Sequence, residues 1–148
     1  MNEPADTISL AIRPAGAADE DAVVALWRAC GLVVSYNDPG ADFRFARGGA
    51  ASDVLVAAGA AGRIVGSVMV GHDGHRGWLY YVAADPSSRL RGIGRRMVRA
   101  AEDWLRMRGV RKAELMVRRT NTGVIGFYER LGFEESNVVV MQRWLDRD

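Results

Sequence analysis

Residues 89–94, Arg-Leu-Arg-Gly-Ile-Gly, have the composition of a phosphate-binding turn. They follow an apolar run at residues 78–84 that is typical of a strand, and they open a stretch with apolar residues at helical spacing. Glycines at the start of a helix let its unpaired N–H groups approach a ligand without interference from Cβ. Those N–H groups, the positive end of the helix dipole and the flanking arginines together suit a pyrophosphate-like anion.

Two common phosphate motifs do not match this segment. A P-loop requires four residues between its glycines, followed by Lys and Ser or Thr, and neither feature is present. The dinucleotide fingerprint requires glycine or alanine three residues after its second glycine, where this chain has Met97. The remaining pattern, Arg-x-x-Gly-x-Gly, also fits an ordinary loop with a solvated basic helix, so it needs support from elsewhere in the chain.

Composition limits the class of protein. The 148 residues suffice for one domain with a core, and 49% hydrophobic with 26% charged residues is typical of a soluble protein. The formal net charge of +2 is small for a nucleic-acid binder. The arginines concentrate at residues 89–99, which favours a discrete anion site. The one cysteine, Cys30, excludes an internal disulfide and suits a reducing compartment.

The apolar runs and the first residues bear on where the protein is expected to act. No apolar run is long enough to cross a bilayer, and the acidic, polar start is unlike a signal peptide. We therefore expect a cytoplasmic protein without a membrane or nucleic-acid partner. Residues 1–7 are expected to be a disordered lead-in to a single domain spanning residues 1–148.

Hydrophobic periodicity predicts the order β, α, short α, three strands, α, β, α, β. Antiparallel strands that lead into a strand–helix–strand unit predict an α/β fold with a central mixed sheet and helices on both faces. The expected elements are a strand from residue 8 that ends at Arg13-Pro14, a helix from an N-cap at Asp19 to Gly31, a short helix at 41–47, a hairpin over 54–70, a strand from Trp78, a helix ending at Gly109, a strand at 113–117, a helix at 121–131 and a strand at 137–141.

A second segment, residues 121–133, supports the first. Alone, its pattern Asn-x5-Phe-Tyr-x3-Gly-Phe fits a short amphipathic helix ended by a glycine. Together with residues 89–94, one strand upstream, it resembles the two motifs of the GCN5-related N-acetyltransferases (GNAT). The resemblance extends from Ile8 to the C-terminus. Segments at 26–30, 36–39 and 68–77 are similar to the YpeA-type bacterial acetyltransferases.

The resemblance implies a fold in which acetyl-coenzyme A lies where two parallel central strands splay apart. Backbone groups of Val82 and Ala84 would pair with the pantetheine, and the Val82 N–H would polarise the thioester carbonyl. Asn121 would contact the pantetheine or its phosphate end. No metal is implied. The pyrophosphate would be held by Arg89, Arg91, Gly92, Ile93, Gly94 and Arg95.

The implied chemistry is direct transfer to an amine in a ternary complex. Tyr128 matches the family's general acid, beside the thioester. A phenol can protonate a departing thiolate because their pKa values lie within about 2 of each other. The alternative for Tyr128 is a core residue with a satisfied hydroxyl. Where many relatives have a glutamate base, this chain has Tyr80, a poor base near neutrality that could orient water or line the acceptor pocket.

The general base is not assigned by the sequence. Asp38, His72, Asp73 and His75 fall near the expected acceptor mouth, and histidine has the most suitable pKa. Asp73-Gly74 is also typical of a hairpin turn, which gives the flanking histidines a turn role instead.

The family's acceptor wall falls in this chain on Trp27, Tyr36, Asn37 and Asp38, together with Tyr80. Trp27 is equally compatible with core packing. If Asp38 faces the pocket, it favours a cationic acceptor such as an amine, a polyamine or a peptide N-terminus.

The leading hypothesis is therefore an acetyl-coenzyme A-dependent N-acetyltransferase acting on a primary amine of a small molecule or protein. The alternative is a non-catalytic acyl-coenzyme A-binding sensor or interaction module of the same fold. The missing strand glutamate favours that alternative, and Tyr128 argues against it. A homodimer formed through residues 138–144 is a further expectation from the resemblance.

Overall fold

The computed structural model describes residues 10–88 and 92–147. The chain divides into two compact units, Met1–Leu115 and Met116–Asp148, and each is described by itself. The strands are β1 (Ala11–Pro14), β2 (Ser52–Ala58), β3 (Ile64–His72), β4 (Gly77–Ala84) and β5 (Ala113–Glu114), and the helices are α1 (Glu20–Ala29), α2 (Pro39–Ala46), α3 (Ile93–Met107) and α4 (Thr122–Arg130).

The first unit contains a five-stranded sheet in the order β1-β2-β3-β4-β5. The first four strands pair antiparallel, and β5 pairs parallel with β4. The mixed sheet predicted from the sequence is therefore confirmed. The parallel pairing is short: it joins Gly77 to Ala113 and Trp78 to Glu114, and β4 continues to Ala84 without a partner on that side among the described strands.

Helices α1 and α2 cover one face of the sheet. Val54 and Val56 of β2 point to this face and join Trp27 and Phe43 in one buried cluster. All four side chains are fully buried. Because successive side chains of a strand alternate between faces, the residues between them point to the opposite face.

Helix α3 covers that opposite face and approaches the strands closely. A Cβ on Gly66 of β3 would lie 2.5 Å from Cγ2 of Ile93, and a Cβ on Gly77 of β4 would lie 2.5 Å from Cδ1 of Leu105. Neither distance is possible between real atoms, so this helix can lie so near only because both positions are glycine.

The helix α2 begins earlier than predicted because Asp38 caps it. Its Oδ1 accepts the N–H of Ala41 at 3.1 Å. Asp19 occupies the predicted N-cap position of α1, but its carboxylate does not cap that helix. It accepts instead from the Gly16 N–H and from Arg13, both at 2.7 Å. The Arg13 guanidinium holds the pKa of Asp19 below its usual value.

The second unit contains α4, close to its predicted position. Asn121 precedes it, and its Oδ1 accepts the N–H of Val124 at 3.4 Å. The strand predicted at 137–141 is wrong, because that stretch forms no strand in the described part of the unit. Val139 and Met141 are 82% and 87% exposed.

Some sequence predictions lie outside the described residues or were too long. The strand predicted at 113–117 is limited to Ala113–Glu114. Ile8 and the lead-in at 1–7 lie outside the described residues, and the single-domain assignment stays a prediction. Within residues 10–88 and 92–147, no helix combines the length and the apolar character needed to cross a membrane.

Candidate functional site

Helix α3 begins directly after Gly92, whose φ of 77° lies in the left-handed region that glycine tolerates. The Arg96 N–H donates to the Gly92 carbonyl at 3.0 Å. The earlier amides, those of Ile93, Gly94 and Arg95, therefore have no partner within the helix. No described side chain caps this end. The start of α3 thus offers free donors and the positive end of a helix dipole to an anion.

The arginines around this turn separate into two groups. Arg89 and Arg91 lie outside the described residues. Arg95 lines a cavity of about 390 Å³ together with Arg96, Arg99 and neighbouring side chains that include one from β1. Since β1 is the edge strand at the far side of the sheet from β5, the Arg95 side chain lies on the side of α3 away from the open edge of β4.

The open edge of β4 presents backbone groups of the two residues predicted to pair with pantetheine. The Asp85 N–H donates to the Val65 carbonyl of β3 at 2.8 Å. Because N–H directions alternate along a strand, the N–H of Ala84 points away from β3, and so does that of Val82 two residues earlier. Both point to the side on which β4 lacks a described partner strand.

Cys30 contacts this edge at the end of α1. Its thiol donates to the Ala84 carbonyl at 3.2 Å. Burial raises the pKa of Cys30, which keeps the sulfur protonated and able to donate. The Ala84 carbonyl therefore already has one donor within the chain.

A β-bulge occurs just before the open edge. The register of β4 against β3 shifts between Ser67 and Met69, so that Tyr81 and Val82 form the bulge. Tyr81 has a φ of 51°. This left-handed conformation costs a residue with a side chain about 1–2 kcal/mol. It persists only where the surroundings hold it.

Side chains from both covering helices hold Tyr81. Its ring stacks on Trp27, with centroids 3.9 Å apart and planes 9° apart. Its hydroxyl donates to Oδ2 of Asp42 at 2.7 Å, and the Asn37 side chain also interacts with that hydroxyl. Ser67 accepts from Nε1 of Trp27 at 2.8 Å and donates to the Tyr81 carbonyl at 3.4 Å. Burial and the hydrogen bond to Asp42 raise the pKa of Tyr81, so the phenol stays a donor.

The structure brings part of the predicted acceptor wall together. Asn37 lies at the Tyr81 hydroxyl. Tyr80 is 43% exposed, and its pairing with Met69, which packs against the α1–α2 cluster, places it on the same face. Burial raises the pKa of Tyr80, which makes it a weaker acid and keeps it neutral. Tyr36 is 55% exposed.

Two other predicted wall residues have internal roles. Trp27 is fully buried between Phe43 and Tyr81, as its core-packing alternative expected. Its side chain does not reach the surface, so we leave it out of the acceptor site. One oxygen of the Asp38 carboxylate accepts the Ala41 N–H at the start of α2.

The candidate bases at the β3–β4 turn form hydrogen bonds within that turn. Nδ1 of His72 accepts a backbone N–H of the turn, and its ring lies 5.9 Å from Trp104 of α3, on the face opposite to Tyr80. Oδ1 of Asp73 accepts the N–H groups of Arg76 and His75 at 2.7 and 2.8 Å. Those two backbone hydrogen bonds lower the pKa of Asp73. The turn role that the sequence left open is confirmed for His72 and Asp73.

In the second unit, Tyr128 lies in α4 with its ring edge-on to Phe127 and Phe133, at centroid distances of 5.0 and 5.5 Å. It is 8% exposed, and burial raises its pKa to about 12. Its hydroxyl makes no hydrogen bond with any other described residue. The structure thus shows no described partner for this hydroxyl, and both the general-acid role and the core alternative stay predictions. Asn121 uses its side-chain oxygen at the start of α4.

Sequence reasoning missed Asp42 and Ser67 and gave Tyr81 no role. The pair Tyr80-Tyr81 gave no signal for a bulge, because a strand that is covered on both faces can accommodate two adjacent aromatic residues in a regular conformation. Asp42 carried no signal either, since an aspartate on a short helix is most often solvated. Across residues 10–88 and 92–147, no three His, Cys, Asp or Glu side chains converge as a metal site would require.

Comparison with known proteins identifies similar sequences along most of the chain. A model of the acetyltransferase (GNAT) family matches residues 20–133. The chain is 40% identical over 130 residues to acetyltransferase ECA0875 of Pectobacterium atrosepticum, covering 88% of this chain and 92% of that protein. It is 39% identical over 123 residues to acetyltransferase SG1711 of Sodalis glossinidius, covering 83% and 86% of the two chains.

Solved structures share the fold at lower identity. An aminoglycoside N-acetyltransferase, AAC(6')-Iy in complex with coenzyme A, superposes with a TM-score of 0.77 at 20% identity, covering 92% of this chain and 95% of that one. Glucosamine-6-phosphate N-acetyltransferase from Arabidopsis thaliana gives a TM-score of 0.71 at 21% identity, covering 93% and 99%.

Proposed function

Because the chain belongs to the GNAT acetyltransferase family, we propose that it transfers the acetyl group of acetyl-coenzyme A to a primary amine of a small molecule or protein. The observation that carries the proposal is the pairing of two open backbone sites in one unit. These are the start of α3 after Gly92, where no described side chain caps the helix, and the edge of β4 at Val82 and Ala84, where no described strand pairs with it. One suits a pyrophosphate, and the other suits an extended amide-containing arm.

The amides at the start of α3 hold the pyrophosphate in this proposal. Gly92, Ile93, Gly94 and Arg95 contribute their N–H groups, and Arg89 and Arg91 contribute charge. Arg95 contributes its amide rather than its guanidinium, because its side chain lies toward β1. Asn121 has its side-chain oxygen at the start of α4, which leaves its amide N–H2 group for the pantetheine.

The acetyl donor supplies a thioester carbonyl that an amine attacks and a thiolate that leaves. The Val82 N–H, held outside the sheet pairing by the bulge, donates to the carbonyl oxygen as negative charge develops there. Tyr128 protonates the leaving thiolate. Its pKa of about 12 keeps the phenol protonated at neutral pH, and its hydroxyl has no other described partner to compete for that proton. The same burial makes the phenol a weaker acid than the sequence predicted, because its pKa now lies more than about 2 above that of a thiol.

The acceptor amine binds on the face of β4 that carries Tyr80. Tyr80, Tyr36 and Asn37 supply polar contacts there, and the Asp38 carboxylate at the start of α2 favours a cationic acceptor. No side chain on this face is a strong base in the proposal. An α-amine with a pKa near 8 loses its proton to water more readily than a lysine near 10.4, so it is the favoured acceptor type.

The test is an amine screen that follows thiol release from acetyl-coenzyme A against background hydrolysis. The enzyme hypothesis predicts amine-dependent release that saturates with the amine and yields its N-acetyl product by mass spectrometry. The non-catalytic acyl-coenzyme A-binding module predicts saturable binding of acetyl-coenzyme A but no product with any amine. The Tyr128 hydroxyl, which has no hydrogen-bond partner among the described residues, favours the enzyme.

A further inference from the structure

We propose that Tyr81 and Asp42 act as positioning residues: their hydrogen bond clamps the β4 bulge in the geometry that presents the Val82 N–H at the open edge. The inference rests on the proposed acetyl transfer for its catalytic consequence. Its structural part can be tested without any substrate.

The bulge needs a support from outside the strand. The Gly77 N–H donates to the Lys112 carbonyl on the β5 side at 2.8 Å, so in a regular β4 the alternation would turn the Val82 N–H toward β3. The shifted register instead makes the backbone at Val82 depend on the left-handed conformation of Tyr81. A tyrosine does not hold that conformation without contacts that favour it.

The contacts to Tyr81 come from three directions. Trp27 of α1 stacks on one side of the ring, Asp42 of α2 accepts from the hydroxyl, and Ser67 of β3 donates to the carbonyl. The Ser67 bond is long at 3.4 Å, whereas the Asp42 bond is short at 2.7 Å and has a charged acceptor. The Tyr81–Asp42 bond is therefore the strongest polar restraint on the bulge.

Asp42 is available for this role because nothing described competes for it. No Arg, Lys or His within residues 10–88 and 92–147 forms an ion pair with its carboxylate. Arg44, two residues along α2, pairs with Glu20 instead at 2.7 Å. The half-buried Asp42 carboxylate thus has the Tyr81 phenol as its partner, and this hydrogen bond connects α2 to the bulge.

The variants distinguish the effect of the Tyr81–Asp42 hydrogen bond from that of the Tyr81 ring stacked on Trp27. Tyr81→Phe keeps the stack on Trp27 and removes the donor. Asp42→Ala removes the acceptor, whereas Asp42→Asn keeps an oxygen that can accept. Arg44→Ala is the matched control, because it removes a hydrogen bond of the same length from the same helix without touching Tyr81.

The first measurement is amide hydrogen exchange by NMR. Ala83 and Asp85 follow the bulge on the β3 side, and we expect their amides to exchange about 10-fold faster in Tyr81→Phe and Asp42→Ala. Asp42→Asn and Arg44→Ala should stay near wild type, and so should Val56 in β2. Unchanged exchange at Ala83 and Asp85, or equal acceleration throughout the sheet, would overturn the clamp.

The second measurement is steady-state kinetics with any amine that the wild type acetylates. Tyr81→Phe and Asp42→Ala should lower kcat about 10-fold, with KM for acetyl-coenzyme A within about twofold of wild type, since only the oxyanion donor is misplaced. Asp42→Asn should recover most of the loss. An unchanged kcat, or a rise in KM alone, would overturn the positioning role. If the wild type acetylates no amine, the proposed function fails, and the exchange data still decide the clamp.

Discussion

Tyr81 and Tyr128 show how two phenols in one chain can be given different roles. The Tyr81 hydroxyl is committed to Asp42 at 2.7 Å, whereas the Tyr128 hydroxyl has no described partner. Burial raises the pKa of both side chains. The Tyr128 phenol, which has no described partner, can therefore give its proton to a ligand, whereas the Tyr81 phenol has a structural role.

Replacing Tyr128 with phenylalanine removes that proton donor while keeping the ring contacts with Phe127 and Phe133. We expect kcat to fall about 100-fold, which is the scale of a lost general acid, with little change in the affinity for acetyl-coenzyme A. Turnover assays and binding titrations on the same preparation check this. A variant with wild-type turnover would remove Tyr128 from the mechanism.

At the scale of secondary structure, much of the first unit could be predicted from local patterns. The β2–β3 hairpin follows from two apolar runs around a glycine-rich turn, and α3 follows from apolar residues at helical spacing ended by Gly109. The Asp38-Pro39 pair is a helix-start signal that predicts the observed start at Pro39, since aspartate caps helices and proline suits the first turn.

Elements that depend on distant partners were predicted less well. Residues 137–141 are rich in valine, but β-propensity forms a strand only where another strand supplies hydrogen bonds. No such pairing occurs there in the described part of the chain. The bulge at Tyr81 was missed for a similar reason, because its causes lie on α1 and α2 rather than in β4.

The close approach of α3 to the sheet gives a stability prediction. Gly66→Ala would place a Cβ 2.5 Å from Cγ2 of Ile93, and we expect the free energy of unfolding to fall by about 1–3 kcal/mol through overpacking. Urea denaturation measures this change.

Gly123→Ala is the control for that substitution. Gly123 lies in the first turn of α4, and a Cβ there meets nothing within 4 Å. Because alanine favours helix, this variant should be unchanged or more stable by up to about 1 kcal/mol. Equal stability of the Gly66→Ala variant and wild type would show that α3 does not pack as described.

At the scale of the whole molecule, the chain combines a small net charge with local concentrations of charge. The formal net charge is +2, yet Arg95, Arg96 and Arg99 line one cavity beside α3. Because these side chains lie toward β1, the proposed anion site depends on the backbone N–H groups at the start of α3 rather than on this arginine cluster. The expected homodimer stays a prediction, with Val138 to Met141 exposed in the described chain.

The tyrosines predict how stability depends on pH. Burial raises the pKa of Tyr80, Tyr81 and Tyr128 above the ordinary value of about 10. Their neutral forms therefore contribute stability that is fully present below about pH 10 and is lost as the pH rises through the folded-state pKa, about 12 for Tyr128. Urea midpoints measured between about pH 8 and pH 11 should fall with rising pH.

The phenylalanine variant of Tyr128 provides the check on that pH dependence. It should lose part of the alkaline decline, because one of the raised phenols is gone. A decline of the same size in both proteins would mean that burial of Tyr128 does not affect stability in alkali.

The central claim is that the glycine turn at the start of α3 binds the pyrophosphate of acetyl-coenzyme A. Calorimetric titration of acetyl-coenzyme A into the wild type and into the Gly92→Ala and Gly109→Ala variants tests this claim directly. Both glycines have φ near 75° with nothing within 4 Å of a new Cβ, at opposite ends of the same helix. The backbone strain of about 1–2 kcal/mol is therefore matched. The account predicts one saturable site for acetyl-coenzyme A, with an affinity about 10-fold weaker in Gly92→Ala and unchanged in Gly109→Ala. The account would be contradicted if the wild type showed no saturable binding, or if both variants lost the same affinity.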